Sequence, residues 1–433
     1  MTPAFVPRSA LAAALAALTA GAALTGCGGS GGRAATGVRT IGASARVAPG
    51  RNTSFMSAIA DARHGRVYAT WSRSLGEKTR VYVAASTDGG RTFGAPVWMA
   101  HDDGAGMPSL RVDDAGRVYV TWTHFDLAHL LDPKNAYSNP SWQVLARSDD
   151  AGRTFTTPVA VTTERRGGSA FGALSVAPDG HTVSAFWLDY LPVFDPRHRA
   201  VGRDAARALV ATSRDGGRTF AAPVVVDRTS CVCCEPYGYT VDGRTAFALR
   251  DWQHGTARAD IRDIAVVQDA AAGWTAPQHV HDDHFLLHHC PSVGPAVAVD
   301  DHGLEHVAWW TGASGRAGYW YATRRGDGSF SAPVPVERHP VAPNENNATL
   351  ALDDTGTAWT ATVGHGEFDA SGNELKAPNA VKVYAIAPDG RVREVPAAEM
   401  SGAYPQLATL PGTLVEVWND GTSLRARRLE LDA

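Results

Sequence analysis

The sequence predicts an all-β fold, a β-propeller of seven four-stranded blades, and three observations lead to this prediction. An eight-residue turn motif recurs: residues 86–93 read STDGGRTF, residues 148–155 read SDDAGRTF and residues 213–220 read SRDGGRTF. Seven pairs of short apolar strands, most of them ending in Trp, follow one another about every 55 residues. One further strand, residues 423–431, remains after the seventh pair and needs a partner from elsewhere in the chain. A ring of six blades with an accessory hairpin is the alternative.

Each copy of the motif joins two strands of one blade through a turn that contains glycine. The glycines suit backbone positions with positive φ, and the Ser and Asp side chains can bind the backbone groups of the turn. The pattern S-x-D-x-G-x-T-[FW] resembles the Asp-box, or BNR repeat, of sialidase-like β-propellers. That resemblance implies a structural role, away from the active face, for Asp88, Asp150 and Asp215.

The N-terminal segment, residues 1–26, has the features of a secretory signal, because Arg8 precedes an Ala- and Leu-rich run that ends in Leu-Thr-Gly-Cys. This ending resembles a bacterial lipobox, which implies cleavage before Cys27 and lipidation of its sulfur. An ordinary signal peptide followed by an incidental cysteine is the alternative. Residues 27–39 then form a lipid-bearing flexible tether, and residues 40–433 form a single propeller domain. We expect a protein of the cell envelope, attached to the extracytoplasmic side of a membrane through Cys27.

Composition limits the choice of partners. The formal net charge of the 433 residues is −4, and no basic stretch with interleaved aromatic residues is present, so nucleic acid is not an expected partner. The sequence also lacks a phosphate loop, a dinucleotide fingerprint and a serine nucleophile elbow. We expect a monomer whose ligand is a glycan or a metal ion.

The blade topology predicts which loops share a face. If the repeated turns define the bottom of the ring, the crossings between blades and the loops after each second strand lie on the top. Residues 41–49 are expected to pair beside residues 423–431 and thereby to close the ring, which removes an open sheet edge. The candidate ligand-binding residues of the top face are Arg51, Asp102, Asp126, Asp189 and Asp251.

The cysteines of the folded domain are concentrated in two crossings that flank the predicted fourth blade. Cys231, Cys233 and Cys234 lie in the first crossing, and Cys290 lies in the second, next to His288 and His289. One interpretation is a disulfide, with Cys231 or Cys233 bridged to Cys290. The other is a metal site, because thiolate and imidazole ligands suit zinc or copper(I). The combination of CxCC, Arg-Asp-Ile at 262–264 and HCPxxGP also resembles a branch of bacterial sialidase-like proteins.

The resemblance to sialidases implies four candidate catalytic residues. Sialidases hold the substrate carboxylate with three arginines and use a Tyr–Glu nucleophile pair. Glu235, Arg250, Arg316 and Tyr404 occupy comparable places in this chain. A structural salt bridge between Glu235 and Arg250 is the alternative interpretation. Phe55 stands where the first clamp arginine is expected, and no aspartate matches the acid/base. We therefore expect a ligand-binding propeller, with a glycoside hydrolase of the exo-α-sialidase type as the alternative.

Overall fold

The chain forms a ring of seven β-sheets around a common axis. The computed structural model describes residues 38–128, 140–162, 168–190, 205–256, 259–287, 291–325, 327–338, 347–363 and 380–431. The inner strand of each blade contacts the inner strands of both neighbouring blades, and the inner strand of blade 7 contacts that of blade 1. This closed circuit confirms the prediction of a seven-bladed propeller. Among the described residues, no helix is long and apolar enough to cross a membrane.

The first four blades follow the chain in order, each beginning at the axis and running outward. Blade 1 contains Thr53–Asp61, Arg66–Leu75, Lys78–Ser86 and Val97–Trp98. Blade 2 contains Ala105–Val112, Val118–Phe125, Ser141–Ser148 and Val159–Ala160. Blade 3 contains Ser169–Val176, Val183–Asp189, Ala205–Ser213 and Val224–Cys231. Blade 4 contains Tyr237–Val241, Arg244–Arg250 and Ile264–Ala270, with Gly273–Trp274 and Gln278–His279 both paired to its third strand.

The remaining strands complete the ring and add one small sheet. Blade 5 contains Ala296–Val299, Glu305–Thr311, Gly318–Arg324 and Val334–Arg338. Blade 6 contains Thr349–Leu352, Ala358–Val363, Ala380–Ile386 and Val392–Glu394, with Met400–Ser401 paired to its third strand. Blade 7 contains Ala403–Leu410, Thr413–Asn419 and Ser423–Leu431. A separate two-stranded sheet pairs Asp260–Ile261 with Leu286–Leu287, and short 3₁₀ helices span Ala62–His64, Met99–His101 and Pro396–Ala398.

The N-terminal segment closes the ring. Ala45–Pro49 pairs antiparallel with Ser423–Leu431 on the outside of blade 7, as the sequence predicts. The outermost strand extends further than expected, because Val38–Thr40 pairs with the same strand and places Val38 opposite Leu431. Gly42, at φ 75°, interrupts the extended backbone between the two paired segments. Both ends of the described chain therefore lie side by side on the outer edge of one blade.

Tryptophan side chains fill the spaces between blades. The sequence places Trp at the end of most second strands, and Trp71, Trp122, Trp187, Trp310 and Trp418 are all buried there, none more than 8% exposed. Because each blade packs its face against the next, these large rings remove apolar area from water at the blade interfaces. The recurring Trp thus marks the packing surface of each blade, and the hydrophobic clusters join residues of adjacent blades.

The repeated turn motif adopts one conformation in its three full copies. In the second copy, Ser148 Oγ donates to Asp150 Oδ1 (2.8 Å) and accepts from the Gly152 N–H (2.8 Å). Asp150 also accepts from the Thr154 hydroxyl (2.6 Å) and from the Thr154 N–H (2.9 Å). These bonds from Thr154 and Ser148 lower the pKa of Asp150 to about 2. Asp88 and Asp215 make the same contacts, which explains why Ser, Asp and Thr recur at fixed spacing.

Replacing the central carboxylate of one turn should destabilise the propeller. Asp150→Ala removes the acceptor of several charge-assisted hydrogen bonds at once, so we expect the free energy of unfolding to fall by about 1–2 kcal/mol. Asp149→Ala is the matched control, because Asp149 is exposed and makes one ion pair with Arg147; it should change stability by less than about 0.5 kcal/mol. Denaturant titration of both variants measures the difference, and equal effects would contradict the assignment.

Candidate functional site

A polar cavity lies on the axis of the ring. Its volume is ≈ 170 Å³, and the inner strands of six blades, all except blade 3, line it. Most of the lining is small or apolar, as in the run Ser57 to Ala60 of blade 1. Besides Gln406 of blade 7, whose amide donates to the Pro405 carbonyl, three side chains bring charge or an amide group to it: Arg111 from blade 2, Glu235 from the crossing into blade 4 and Asn347 from the start of blade 6. These three residues define the site that we call the channel mouth.

Glu235 is held in place by the next two blades along the chain. Its Oε2 accepts a hydrogen bond from the Asn347 side-chain amide, and Asn347 Oδ1 accepts from the Gly294 N–H at 2.6 Å. A Cβ at position 294 would lie 1.8 Å from the carbonyl oxygen of Glu235, so only glycine fits this contact. Glu235, which follows the CxCC stretch, and Gly294, which belongs to the HCPxxGP stretch, thus pack directly against each other.

Arg111 reaches across the channel from blade 2 to blade 4. Its guanidinium donates to the Gly238 carbonyl through Nε (2.9 Å) and Nη2 (2.6 Å). The guanidinium carbon also lies 4.2 Å from the centre of the Tyr237 ring, a cation–π contact. This bridge joins blade 2 to blade 4, and no described residue of blade 3 lines the cavity.

The environment of Glu235 favours its neutral form. Burial raises the pKa of Glu235 to about 8, although the hydrogen bond from Asn347 and the charge of Arg111 oppose the shift. Near neutral pH the side chain is therefore a protonated carboxylic acid. Because Oε2 accepts from Asn347, Oε1 is the atom that can carry the proton, and it makes no hydrogen bond with the described residues. The channel mouth accordingly offers the hydroxyl of a neutral carboxylic acid as a hydrogen-bond donor to a ligand.

The structure does not bring the other three predicted catalytic residues to the channel mouth. Arg250 is 2% exposed and donates to three backbone carbonyls, those of Val293, Arg262 and Trp310. The alternative interpretation, a salt bridge from Arg250 to Glu235, is wrong, because these carbonyls occupy all three guanidinium nitrogens. Arg316 lies 3.2 Å from Asp283 and stacks on the Trp320 ring at 4.0 Å.

Tyr404 occupies a distinctive backbone position at the start of the blade 7 inner strand. It has φ 54° at a bulge in the pairing of the first two strands, and it packs against the core between blades 7 and 1. Met107 and Phe171 have the same left-handed conformation at the matching bulges of blades 2 and 3. Tyr404 thus belongs to a recurring backbone feature, and it does not line the axial cavity.

The five predicted ligand-binding residues of the top face are not gathered in one place. Asp102 accepts from Trp122, His124 and the Gly104 N–H, and Asp189 is ion-paired with Arg207. Asp251 is bound to His279 at 3.0 Å, Asp126 accepts from the Ala128 N–H, and Arg51 is exposed. None of the five lines the axial cavity.

The CxCC stretch forms a compact group of sulfurs. The Sγ atoms of Cys231 and Cys234 are 3.3 Å apart, and both residues are buried, at 1% and 2% exposure. Cys233 is disulfide-bonded, and its Sγ lies within 4.8 Å of the other two. Ser292 Oγ lies 3.9 Å from the Cys233 sulfur, so the two predicted crossings do meet. Cys290, His288 and His289 fall outside the described residues.

Charges around the sulfurs distinguish the two thiols. Burial opposes ionisation of Cys231, but the hydrogen bond from Cys234 and the positive charges of Arg262 and Arg250 outweigh it and lower the pKa of that thiol. Burial and the neighbouring Cys231 sulfur raise the pKa of Cys234. The three sulfurs lie close enough together to hold a metal ion, although a sulfur in a disulfide cannot act as a thiolate ligand.

One further polar group surrounds Asp251, a predicted ligand-binding residue, and its contacts were not predicted from the sequence. His279 binds Asp282 through Nδ1 (2.7 Å) and Asp251 through Nε2 (3.0 Å), and the hydrogen bond to Asp251 raises the pKa of His279 to about 9. Asp263, His279 and Asp282 also offer ligand atoms within 4.8 Å of one another. The small sheet of Asp260–Ile261 and Leu286–Leu287 brings the segments around Asp263 and Asp282 together. No local pattern in the sequence predicts this sheet.

Comparisons with known proteins show similarity of fold. No protein-family model and no curated protein matches the chain. A polysaccharide lyase, the PL25 ulvan lyase, matches with a TM-score of 0.52 at 11% identity, covering 91% of this chain and 96% of that one. The Penicillium chrysogenum α-L-arabinanase in complex with arabinobiose matches with a TM-score of 0.50 at 12% identity, covering 91% of this chain and 98% of that one. The leech intramolecular trans-sialidase matches with a TM-score of 0.48 at 9% identity, covering 84% of this chain and 82% of that one.

These similarities and the ring of seven sheets define the class of fold. The protein is a seven-bladed β-propeller, similar in fold to the ulvan lyase and the arabinanase. At these identities the likeness concerns the path of the backbone. What the chain binds must be argued from its own side chains.

The protonated state of Glu235 should make stability depend on pH. Between pH 4.5, the ordinary pKa, and about pH 8, the folded protein retains a proton that the unfolded chain has released. The free energy of unfolding therefore falls as the pH rises through this window, and this group causes no further change above it. Glu235→Gln should flatten this part of the profile in denaturant titrations at about pH 5, 7 and 9. The partly exposed Glu430→Gln is the control, and a wild-type slope in Glu235→Gln would refute the assignment.

Proposed function

We propose that this protein is an exported, lipid-anchored propeller that binds a glycan at the channel mouth. The observation that supports the proposal is the Glu235 carboxyl, held by Asn347 in an axial cavity that Arg111 also lines, where burial raises the pKa of Glu235 to about 8. Sugars present many hydroxyl groups that both donate and accept hydrogen bonds. A fixed carboxylic acid suits such a ligand because it provides a donor in a defined direction, and the Arg111 guanidinium, which donates to the Gly238 and Leu110 carbonyls, adds positive charge nearby.

The fold similarity is consistent with a glycan ligand. The ulvan lyase acts on a polysaccharide, and the arabinanase structure contains arabinobiose. Both share the propeller architecture with this chain over nine-tenths of its length. The axial cavity is also the one described place where the inner strands of six blades converge. A ligand in this cavity would therefore contact side chains from several blades at once.

The alternative function is glycoside hydrolysis of the exo-α-sialidase type. Most glycoside hydrolases use a pair of carboxyl groups that flank the scissile bond. Among the described residues that line the cavity, Glu235 is the only one with a carboxyl group. Arg250 and Arg316, which would hold a substrate carboxylate, are engaged with carbonyls and with Asp283. These contacts favour binding over turnover.

Glycan binding should depend on the protonation of Glu235. On an array of neutral and acidic oligosaccharides, we expect the full chain in detergent to bind a defined set, and to lose this binding as the pH rises above about 8. Glu235→Gln keeps a donor at this position, so its binding should persist at high pH. Glu235→Ala removes the donor and should weaken binding about tenfold or more.

Two outcomes would contradict the proposal that a glycan binds at the channel mouth. Equal binding by wild type, Glu235→Ala and the control Glu430→Gln would move the ligand site away from the channel mouth. Release of sialic acid from a fluorogenic sialoside by the wild type, with loss in Tyr404→Phe, would establish the hydrolase instead. We expect sialoside turnover to be absent or very weak, because Phe55 stands where the first clamp arginine is expected.

A bound zinc or copper(I) ion is the second candidate function. The three sulfur atoms of Cys231, Cys233 and Cys234 within 4.8 Å favour it, and His288 and His289 are the nearest imidazoles in sequence to Cys290. This candidate requires reduction of Cys233, which is disulfide-bonded in the structure. Metal content of the purified full chain, measured together with its thiol content, tests it.

The lipid anchor has its own test. If the sulfur of Cys27 is lipidated, Cys27→Ser should abolish the incorporation of labelled fatty acid and release the protein from the membrane fraction. Two glycines follow Cys27 directly, so Ser30→Ala, at the next side chain along the tether, serves as the matched control and should leave labelling unchanged. Membrane retention of Cys27→Ser with an intact signal sequence would contradict the anchor.

A further inference from the structure

A second cavity, which we call the seam pocket, lies where the ring closes. Its volume is ≈ 200 Å³, against the roughly 10–15 Å³ that one water molecule requires. Residues 41–43, in the break between the two segments of the outermost strand of blade 7, form one side of it. Gly90 and Arg91 of the blade 1 turn, with Ala426 and Arg428 of the third strand of blade 7, form the rest. Among the described residues that line the pocket, two are arginines and none has a carboxyl group.

The charge of Arg428 is not neutralised by the described part of the chain. Its Nε is buried without a hydrogen bond, and no described carboxylate forms an ion pair with its guanidinium. Glu430, two residues further along the strand, instead accepts from Nε of Arg39 at 3.0 Å. Burial and the nearby positive charge of Arg91 lower the pKa of Arg428, although the more distant carboxylates oppose the shift. Two guanidinium groups thus share one pocket without an anion between them.

The seam between blades 2 and 3 shows which contacts Arg428 lacks. Arg147 lies opposite the second strand of blade 2, as Arg428 lies opposite that of blade 7, and each is next to the repeated turn of the following blade. Arg147 donates to the Gly216 carbonyl (3.1 Å) and to Asp149 (2.9 Å), two residues further along the chain. Arg428 makes neither contact. An acceptor from outside the chain would supply what Arg147 obtains internally.

We propose that the seam pocket binds a phosphate or sulfate group between Arg428 and Arg91. A tetrahedral oxyanion suits two guanidinium groups, because each can donate parallel hydrogen bonds to a pair of its oxygens. Arg91 is oriented by the bond from its Nη1 to the Asp88 carbonyl (2.7 Å), which leaves its other two nitrogens for a ligand. The Asp88 carboxylate does not occupy the pocket, because it binds Ser86 and Thr92 of its own turn.

A bound oxyanion would link the first and last blades. Arg91 belongs to blade 1 and Arg428 to blade 7, so the ligand adds an ionic bridge across the seam. A free ion and a phospholipid headgroup can both supply the group, since the eleven residues from Cys27 to Val38 can span at most about 40 Å. The seam pocket shares no residue with the channel mouth, so the inference is independent of glycan binding.

Calorimetric titration of the full chain in non-ionic detergent with inorganic phosphate, at constant ionic strength, tests the pocket. We expect one saturable site per chain, and about tenfold weaker binding in Arg428→Gln and in Arg91→Gln, because each variant loses a charged donor group. Arg153→Gln is the matched control and should bind as wild type does. Arg153 has the place of Arg91 in the second copy of the turn, which packs against Ala85 instead of an arginine.

Thermal unfolding gives a second measurement. At phosphate concentrations about 100-fold above Kd, the midpoint of wild type should rise by about 3 °C more than that of Arg428→Gln. The difference between the two proteins is the relevant quantity, because phosphate and sulfate also stabilise proteins by exclusion from their surfaces.

Adding phosphatidylglycerol to the micelles distinguishes the two sources of the ligand. It should weaken the apparent affinity for phosphate if a headgroup occupies the pocket, and leave the affinity unchanged if the ligand is a free ion. Absence of saturable phosphate and sulfate binding in wild type, or equal binding by wild type and both pocket variants, would overturn the proposal. Arg91 is exposed, so Arg91→Gln still decides the matter if Arg428→Gln fails to fold.

Discussion

The pairing of the two ends of the chain is the constraint on which the rest of the structure depends. Ala45–Pro49 and Val38–Thr40 add the outermost strand to blade 7, which otherwise has three strands from its own segment of the chain. Among the described residues no covalent cross-link joins the first and last blades, so these backbone hydrogen bonds and the apolar packing between the two blades hold them together. The axial cavity exists only in the closed ring, because its lining combines residues from both ends of the domain, such as Ser57 and Gln406.

The fold could be predicted from the sequence because its signals are local and repeated. The turn motif specifies its own hydrogen bonds within eight residues, and the Trp at the end of most second strands indicates burial against the next blade. The closing strand was also predictable, because the last blade lacked a strand. Its division into two segments depends on Gly42, a single residue whose conformation the sequence pattern did not reveal.

The candidate site was less predictable because its contacts are long-range. Glu235 was predicted as a site residue, but the hydrogen bond from Asn347, 112 residues away, could not be read from spacing. Arg250 was placed at the channel mouth on the strength of its position at a strand end. Its side chain instead donates to the carbonyl of Arg262 in blade 4, of Val293 in the crossing between blades 4 and 5, and of Trp310 in blade 5. The burial of the Arg250 guanidinium thus depends on backbone carbonyls that lie up to 60 residues away in the chain.

The region between blades 4 and 5 combines most of the unusual chemistry of the chain. The CxCC stretch, Glu235 and Gly294 lie in two consecutive crossings, and the close approach at Gly294 fixes them against each other. A side chain at position 294 would separate these crossings and disturb both the carboxyl at the channel mouth and the Ser292 contact to Cys233. The glycine therefore couples two sites that differ in chemistry.

The position of Val38 opposite Leu431 determines how the propeller can be attached to anything else. Both ends of the described chain, Val38 and Leu431, lie on the rim of blade 7. A membrane tether or a fused domain attached at this rim would therefore hold the propeller by its edge. Among the described residues, none of the outermost strand of blade 7 lines the axial cavity, so the other strands of that blade separate such an attachment from the channel mouth, and a long polymer can approach the mouth without meeting it.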